Sequence, residues 1–222
     1  MIERSFEAEL SELNDLILKM GNMVQASIRK SVEALKSRDE QMSKQVIASD
    51  REVDDLELLI DDKCVTLIAR IQPMAADLRF ITTAMKITTD LERMGDLAVD
   101  IAQKNLELLS MPLLKPLIDT PKLADIAMRM IGESIDTFVK RDSTRSIKIH
   151  AMENEADKLR DLITDELMEI MTKDPTSVPR AIPLLLIARY LERICDHAMN
   201  VAEDVVYMVE AKVVKHMPIE GK

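Results

Sequence analysis

Apolar residues recur along this chain at alternating intervals of three and four positions, a spacing that predicts long amphipathic helices. The stretch expected to form the third helix carries such a seam at Phe80, Ala84, Ile87, Leu91, Met94, Ala98 and Ile101. The last long stretch repeats it at Leu184, Ile187, Leu191, Ile194, Ala198, Val201, Val205 and Met208. Seams of this kind are buried between antiparallel helices, so the pattern predicts helical bundles.

The chain also carries an internal duplication. Residues 91–96 read LERMGD, and residues 191–196, one hundred positions later, read LERICD. Residues 50–60 agree with residues 153–163 at an offset of 103. The second copy is therefore three residues shorter between these two segments, and each copy is expected to contain three helices.

Capping residues and prolines place the boundaries between helices. Asp39 and Asp142 stand at equivalent positions and are predicted N-caps, and Thr120 is predicted to cap the fourth helix. We predict an all-α fold of two tandem antiparallel three-helix bundles with six long helices. The first bundle covers residues 1–110, the connector covers 111–119, and the second bundle covers 120–217.

Composition narrows the classes of function. The 222 residues include 4 glycines and 2% aromatic residues, which is too little turn and aromatic material for a β-rich fold. A formal net charge of −10 argues against nucleic acid as a partner. The sequence lacks an apolar run long enough to cross a bilayer and lacks a secretory signal, so we expect a cytoplasmic location. Cys64 and Cys195 are expected to be buried free thiols.

Acidic residues form rows beside the seams, one helical turn apart and on one face of each helix. The rows of the first repeat consist of Asp50 and Asp54 on its second helix and of Glu92, Asp96 and Asp100 on its third helix. Glu57 lies one turn beyond Asp54. Each helix therefore presents acids at a spacing of four residues.

The second repeat has the same pairs at equivalent positions. Glu153 and Asp157 lie on its second helix, and Glu192 and Asp196 lie on its third. Asn200 stands where the first repeat has an acid, so the second set should carry less negative charge. His197, next to Asp196, is a candidate ligand or capping side chain.

Such rows are unfavourable on a passive surface, because like charges one turn apart destabilise a helix by a few tenths of a kcal/mol. Arg51, Arg93 and Arg189 each lie three residues before an acid and are candidate ion-pair partners. If two rows face each other, four carboxylates converge, and a bound cation offsets their repulsion. Oxygen ligands suit Mg²⁺, Mn²⁺ or iron. A merely solvated acidic face is the alternative interpretation.

These residues resemble the PhoU family, the accessory proteins of bacterial phosphate-specific transport. The resemblance covers nearly the whole chain and is carried by residues 91–96, by residues 190–197 (YLERICDH) and by residues 72–79 (QPMAADLR). It implies two three-helix bundles that hold a multinuclear metal cluster, with iron or zinc favoured and magnesium or manganese as alternatives. The implied ligands are Asp50, Asp54, Glu92, Asp96, Asp100, Glu153, Asp157, Glu192 and Asp196.

The resemblance also implies a role without catalysis. Members repress the phosphate-starvation response and phosphate uptake by coupling the ATPase subunit of the phosphate transporter to a phosphate-sensing histidine kinase. A homodimer, associated with the inner membrane only through its partners, is the expected state. Two alternatives stay open: a carboxylate-bridged metalloenzyme, for which the usual Glu-x-x-His motif is absent, and an acidic scaffold that binds no metal.

Overall fold

The computed structural model describes residues 2–214, and within this range it contains six long helices and no strand, as predicted. Two short 3₁₀ turns, Ser143–Arg145 and Pro175–Ser177, precede the fifth and sixth helices. The end of the predicted second bundle, residues 215–217, lies outside the described residues. The helices are α1 (Ile2–Ser37), α2 (Glu40–Ile71), α3 (Ala75–Leu109), α4 (Asp119–Lys140), α5 (Ser146–Lys173) and α6 (Val178–Glu210).

Two predicted caps are confirmed, and one is wrong. Oδ1 of Asp39 accepts a hydrogen bond from the Met42 amide at 2.9 Å at the start of α2. Oδ1 of Asp142 accepts from the Thr144 amide at 3.1 Å and so caps the 3₁₀ turn before α5. Thr120 lies inside α4 and is buried, because that helix begins one residue earlier and has no side-chain cap.

Each repeat forms an antiparallel bundle of three helices, α1 to α3 in the first and α4 to α6 in the second. The predicted seam residues of α3 and α6 are buried, and both cysteines are buried free thiols, as expected. The bundles lie side by side. Their interface is formed mainly by α3 against α6, with a smaller contact between α1 and α4.

The contact between α1 and α4 depends on a glycine. A Cβ atom placed on Gly21 would lie 2.0 Å from Cδ1 of Ile135, so no larger residue fits there without movement of the isoleucine. Nearby, Nε2 of Gln25 donates a hydrogen bond to the Met128 carbonyl at 2.7 Å. The two bundles are therefore held together by close packing and by a hydrogen bond at this contact.

The contact between α3 and α6 includes two pairs of charged side chains. Nδ1 of His197 lies 2.8 Å from Oδ1 of Asp90, and both side chains are almost buried. Nζ of Lys86 lies 3.2 Å from Oδ1 of Asp204. His197 thus reaches across to the first bundle. In the part of the chain that the structure describes, no helix carries an apolar stretch long enough to span a membrane.

Candidate metal centre

The acidic rows of α2 and α3 face each other in the first repeat. Partial burial, followed by the negative charges of Asp54 and Asp96, raises the pKa of Asp50 to about 6. Burial and the charges of Asp54 and Asp100 likewise raise the pKa of Asp96. A negative charge on one helix raises the pKa of a carboxyl group on the other only when the two groups interact appreciably. The acidic rows of the two helices therefore face each other.

Glu92 belongs to the same group. Burial, then the charges of Asp96, Glu57 and Asp54, raise the pKa of Glu92 to about 7, although Arg93 opposes the shift. The pKa of Glu57 is also raised, first by burial and then by neighbouring acids. Glu57 thus belongs to the same group as the five predicted acids of this repeat. We call these six acids the first acidic cluster: Asp50, Asp54, Glu57, Glu92, Asp96 and Asp100.

A glycine lets the two helices approach closely at the cluster. A Cβ atom on Gly95 would lie 3.4 Å from Oδ1 of Asp50 and 3.5 Å from Cγ1 of Val53. The Asp50 carboxylate therefore lies against the backbone of α3, directly beside the acidic row of that helix. In the second repeat the equivalent residue is Cys195, which is buried.

The second repeat brings its four predicted acids together in the same way. Burial, then the charges of Glu192, Glu153 and Asp157, raise the pKa of Asp196 to about 6. Burial raises the pKa of Glu153, as do the charges of Asp157 and Glu203, while His150, whose Nδ1 lies 3.0 Å from the Glu153 carboxylate, opposes the shift. These four residues, Glu153, Asp157, Glu192 and Asp196, are called the second acidic cluster.

The two clusters differ in a residue that sequence reasoning missed. Nη2 of Arg160 lies 3.6 Å from Oε1 of Glu192 and 3.7 Å from Oδ1 of Asp157, so an arginine bridges the two helices of the second cluster. The offset of 103 that relates the repeats pairs Arg160 with Glu57, and this change of charge was the available signal.

The arginines that the sequence suggested as partners do not take this role. Within residues 2–214, none of Arg51, Arg93 and Arg189 forms an ion pair. The six acids of the first cluster likewise have no basic partner at ion-pair distance in the described chain. A helical spacing of three residues was therefore insufficient to predict these ion pairs.

The donor set of the first cluster suits a hard or borderline cation. Its side chains offer only carboxylate oxygens, which such cations prefer. The second repeat has a cysteine, Cys195, at the position that corresponds to Gly95, so the first cluster has no thiol there. Among the described residues, no three side chains of Asp, Glu, His or Cys are already arranged around a common point as metal ligands. Metal ligation would therefore require rotation of these partly exposed carboxylates, a motion that side chains make within nanoseconds.

A groove elsewhere contains none of the nine predicted ligands. It has a volume of about 1130 Å³ and lies between α1, α4 and α5. Its lining includes apolar residues such as Met152 and Leu159 together with both basic and acidic side chains, among them Arg129 and Glu133. The groove is thus distinct from the acidic clusters.

Comparison with known proteins relates the whole chain to one family. The family model of the PhoU domain matches residues 17–104 and again residues 120–205. A phosphate-specific transport system accessory protein PhoU homolog from Aquifex aeolicus is 38% identical over 214 residues, which cover 96% of this chain and 97% of the relative. The phosphate-specific transport system accessory protein PhoU of Escherichia coli is 31% identical over 216 residues, covering 97% of this chain and 90% of the relative.

Solved structures agree with this relationship. The crystal structure of PhoU from Pseudomonas aeruginosa superposes with a TM-score of 0.88 at 31% identity, covering 93% of this chain and all of that one. The structure of the phosphate transport system regulatory protein PhoU from Streptococcus pneumoniae gives a TM-score of 0.87 at 28% identity, with 95% and 99% of the two chains covered. The tandem bundles, the duplicated acidic motifs and these matches together show that the chain belongs to the PhoU family, whose members are accessory and regulatory proteins of phosphate transport.

Proposed function

We propose that this protein is a negative regulator of the phosphate-starvation response and of phosphate uptake. It acts as a metal-binding adaptor between the ATPase subunit of the phosphate transporter and a phosphate-sensing histidine kinase. Relatives whose alignments cover more than nine-tenths of this chain are named as accessory proteins of the phosphate-specific transport system. The observation that carries the metal-binding part is the convergence of acidic rows from α2 and α3, in which Asp54 and Asp96 both act on Asp50.

A bound cation would stabilise the converging carboxylates. Four or more carboxylates held together by two packed helices repel one another. A multivalent cation between them attracts carboxylates of both helices and so offsets this repulsion. The partly buried donors, all oxygen in the first cluster, are compatible with a multinuclear iron or zinc cluster, and magnesium or manganese would use the same oxygens. Metal binding would therefore stiffen the contact between α2 and α3.

Docking is the second part of the proposal. Neutralising the acidic clusters changes the charge of the surface formed by α2, α3, α5 and α6, so the loaded and unloaded proteins would present different faces to a partner. The ATPase subunit and the sensor kinase are the proposed partners, and the working form is a homodimer in the cytoplasm. Association with the inner membrane runs through these partners, because a chain with a net charge of −10 gains nothing from anionic lipids.

The test removes two carboxylates from the first cluster. The variant Glu92→Ala with Asp96→Ala should lose bound metal, measured by elemental analysis of the purified protein. It should also raise a phosphate-starvation reporter in phosphate-replete cells that carry this protein as their only PhoU. The matched control is Glu52→Ala with Asp55→Ala, which removes two exposed acids from the other side of α2 and should change neither measurement.

The two readouts separate the parts of the proposal. Loss of metal with unchanged repression would show that metal and signalling are independent, and it would contradict the adaptor mechanism. A wild-type protein that is consistently free of metal yet represses the reporter would favour the metal-free scaffold. Catalytic turnover that disappears in the Glu92 and Asp96 variant would favour the metalloenzyme instead.

A further inference from the structure

The two acidic clusters are related by the internal duplication, yet their charges are not equivalent. In the first cluster, Glu57 follows Asp54 by one turn of α2 and adds a sixth carboxylate. In the second cluster the equivalent residue is Arg160, on the same face of α5. One repeat thus gains a negative charge at the position where the other gains a positive charge.

The geometry shows what this arginine does. Its Nη2 atom lies within 4 Å of carboxylate oxygens on both helices, Glu192 of α6 and Asp157 of α5, and Nη1 lies 3.1 Å from Oδ1 of Asp161. Its side chain is 34% exposed, and its Nε atom is buried. A guanidinium that is partly withdrawn from water attracts carboxylates more strongly than an exposed one does.

A second difference acts in the same direction. Asn200 replaces the acid that the first cluster has at Asp100, and His150 lies against Glu153. The first cluster therefore has six carboxylates without an ion-pair partner in the described chain. The second has four, two of which already contact a guanidinium, and the charge of Glu203 also acts on Glu153. The need for an external cation differs accordingly.

We propose that Arg160 serves the second acidic cluster as a built-in cation, so that the protein binds its metal in the first repeat and not in the second. The inference rests on the proposed function and narrows it: of the nine predicted ligands, only the five of the first repeat, together with Glu57, would hold the metal. Arg160 is part of the chain and so is always present to bridge α5 and α6, whereas a metal ion would bridge α2 and α3 reversibly. The first repeat would then respond to metal, whereas the second repeat, with the same three-helix architecture, would not.

The consequence for specificity is that one side chain decides whether a cluster accepts metal. Exchanging the two residues between the repeats should move the metal site. Arg160→Glu alone restores a fifth carboxylate to the second cluster and removes its guanidinium, so it should raise the affinity of that cluster for a divalent cation by at least about tenfold. Glu57→Arg should lower the affinity of the first cluster by a similar factor.

The experiment measures Mn²⁺ and Zn²⁺ bound per chain by equilibrium dialysis of the full-length protein. The variants are Glu57→Arg, Arg160→Glu and the double exchange, which keeps the net charge of the wild type. Asp96→Asn disables the first cluster and Asp196→Asn disables the second, so combining each with the exchange variants locates the bound ion. The matched controls Asp55→Arg and Lys158→Glu make the same changes of charge at exposed neighbouring residues.

We expect wild-type binding to be lost with Asp96→Asn and retained with Asp196→Asn. We expect Arg160→Glu to add a second site, and the double exchange to bind metal that only Asp196→Asn removes. The controls should behave as the wild type. Thermal unfolding in EDTA supplies a readout without metal: Arg160→Glu should lower the melting temperature and Glu57→Arg should raise it, because the first change creates repulsion and the second relieves it.

Two results would overturn the inference, and a third bears on the proposed function. Equal loss of wild-type metal with Asp96→Asn and with Asp196→Asn would show that both repeats bind it. An Arg160→Glu protein that binds no more metal than Lys158→Glu would show that the arginine does not block the site. If no variant and no wild-type sample bound either ion, the proposed metal-binding function itself would be contradicted.

Discussion

His197 in the second repeat and Asp90 in the first repeat form a pair across the interface between the bundles, with Nδ1 of the imidazole 2.8 Å from Oδ1 of the carboxylate. Each of these side chains is only 12% exposed. The sequence suggested His197 as a candidate metal ligand because it follows Asp196, but the structure directs its Nδ1 atom to Asp90. The residue therefore joins α3 to α6.

Removing this imidazole should destabilise the protein. His197→Ala leaves the Asp90 carboxylate nearly buried without its partner, which is expected to cost about 2–3 kcal/mol in the free energy of unfolding. Urea denaturation followed by circular dichroism measures the loss. His150→Ala is the control, because His150 is 39% exposed and its loss should cost under about 0.5 kcal/mol. If both variants lost the same free energy of unfolding, the pair across the interface would contribute no more to stability than the exposed His150 does.

The second contact between the bundles predicts a rescue. Gly21→Ala places a methyl group where Cδ1 of Ile135 now lies, so we expect a loss of about 1–2 kcal/mol in unfolding free energy. Ile135→Val removes that Cδ1 atom. In the Ile135→Val background, Gly21→Ala should become neutral or stabilising, because alanine favours a helix over glycine by about 1 kcal/mol.

The four proteins of this cycle can be compared by thermal and chemical unfolding. A coupling energy near zero between the two substitutions would mean that Gly21 and Ile135 do not touch as described. A single Gly21→Ala variant more stable than the wild type would lead to the same conclusion.

The stability of the metal-free protein should depend on pH in a defined direction. The folded state raises the pKa of Glu92 to about 7 and that of Asp50 and Asp196 to about 6, above the values of the unfolded chain. The folded protein therefore binds protons that the unfolded chain does not. By linkage, its unfolding free energy rises as the pH falls from about 8 to about 5, and it decreases again when the pH rises through these pKa values.

Melting temperatures in EDTA across this range measure the effect. Glu92→Gln should flatten the rise, because it removes the group with the highest pKa, while Glu52→Gln at an exposed position should leave it unchanged. Saturating Mn²⁺ should also flatten it, since a bound cation replaces the protons. A wild-type melting temperature that increases with pH over this interval would contradict the convergence of these carboxylates.

The helical architecture could be predicted from the sequence because the spacing of apolar residues is a local signal. The seam from Phe80 to Ile101 is buried along its whole length, and Asp39 caps α2 as its position indicated. Thr120 misled the prediction, because a threonine before a proline has the composition of a cap even when the helix begins one residue earlier.

The contacts between helices were harder to predict. The duplicated acidic rows made their convergence a hypothesis, but helical periodicity does not determine which faces of two helices meet, so a solvated acidic face stayed an alternative. The similarity of the repeats does not indicate a role for Arg160, because this residue matters through its difference in charge from Glu57. The pair of Asp90 and His197 depends on how the two bundles pack, which helical periodicity within one bundle does not encode.

Anomalous diffraction from crystals grown with Mn²⁺ or Zn²⁺ would locate a metal bound between α2 and α3. We expect anomalous peaks there, about 2.0–2.6 Å from the carboxylate oxygens of Asp50, Asp54, Glu92 and Asp96. A well-ordered first cluster without such a peak, in crystals that bind the metal elsewhere, would contradict the proposed metal site.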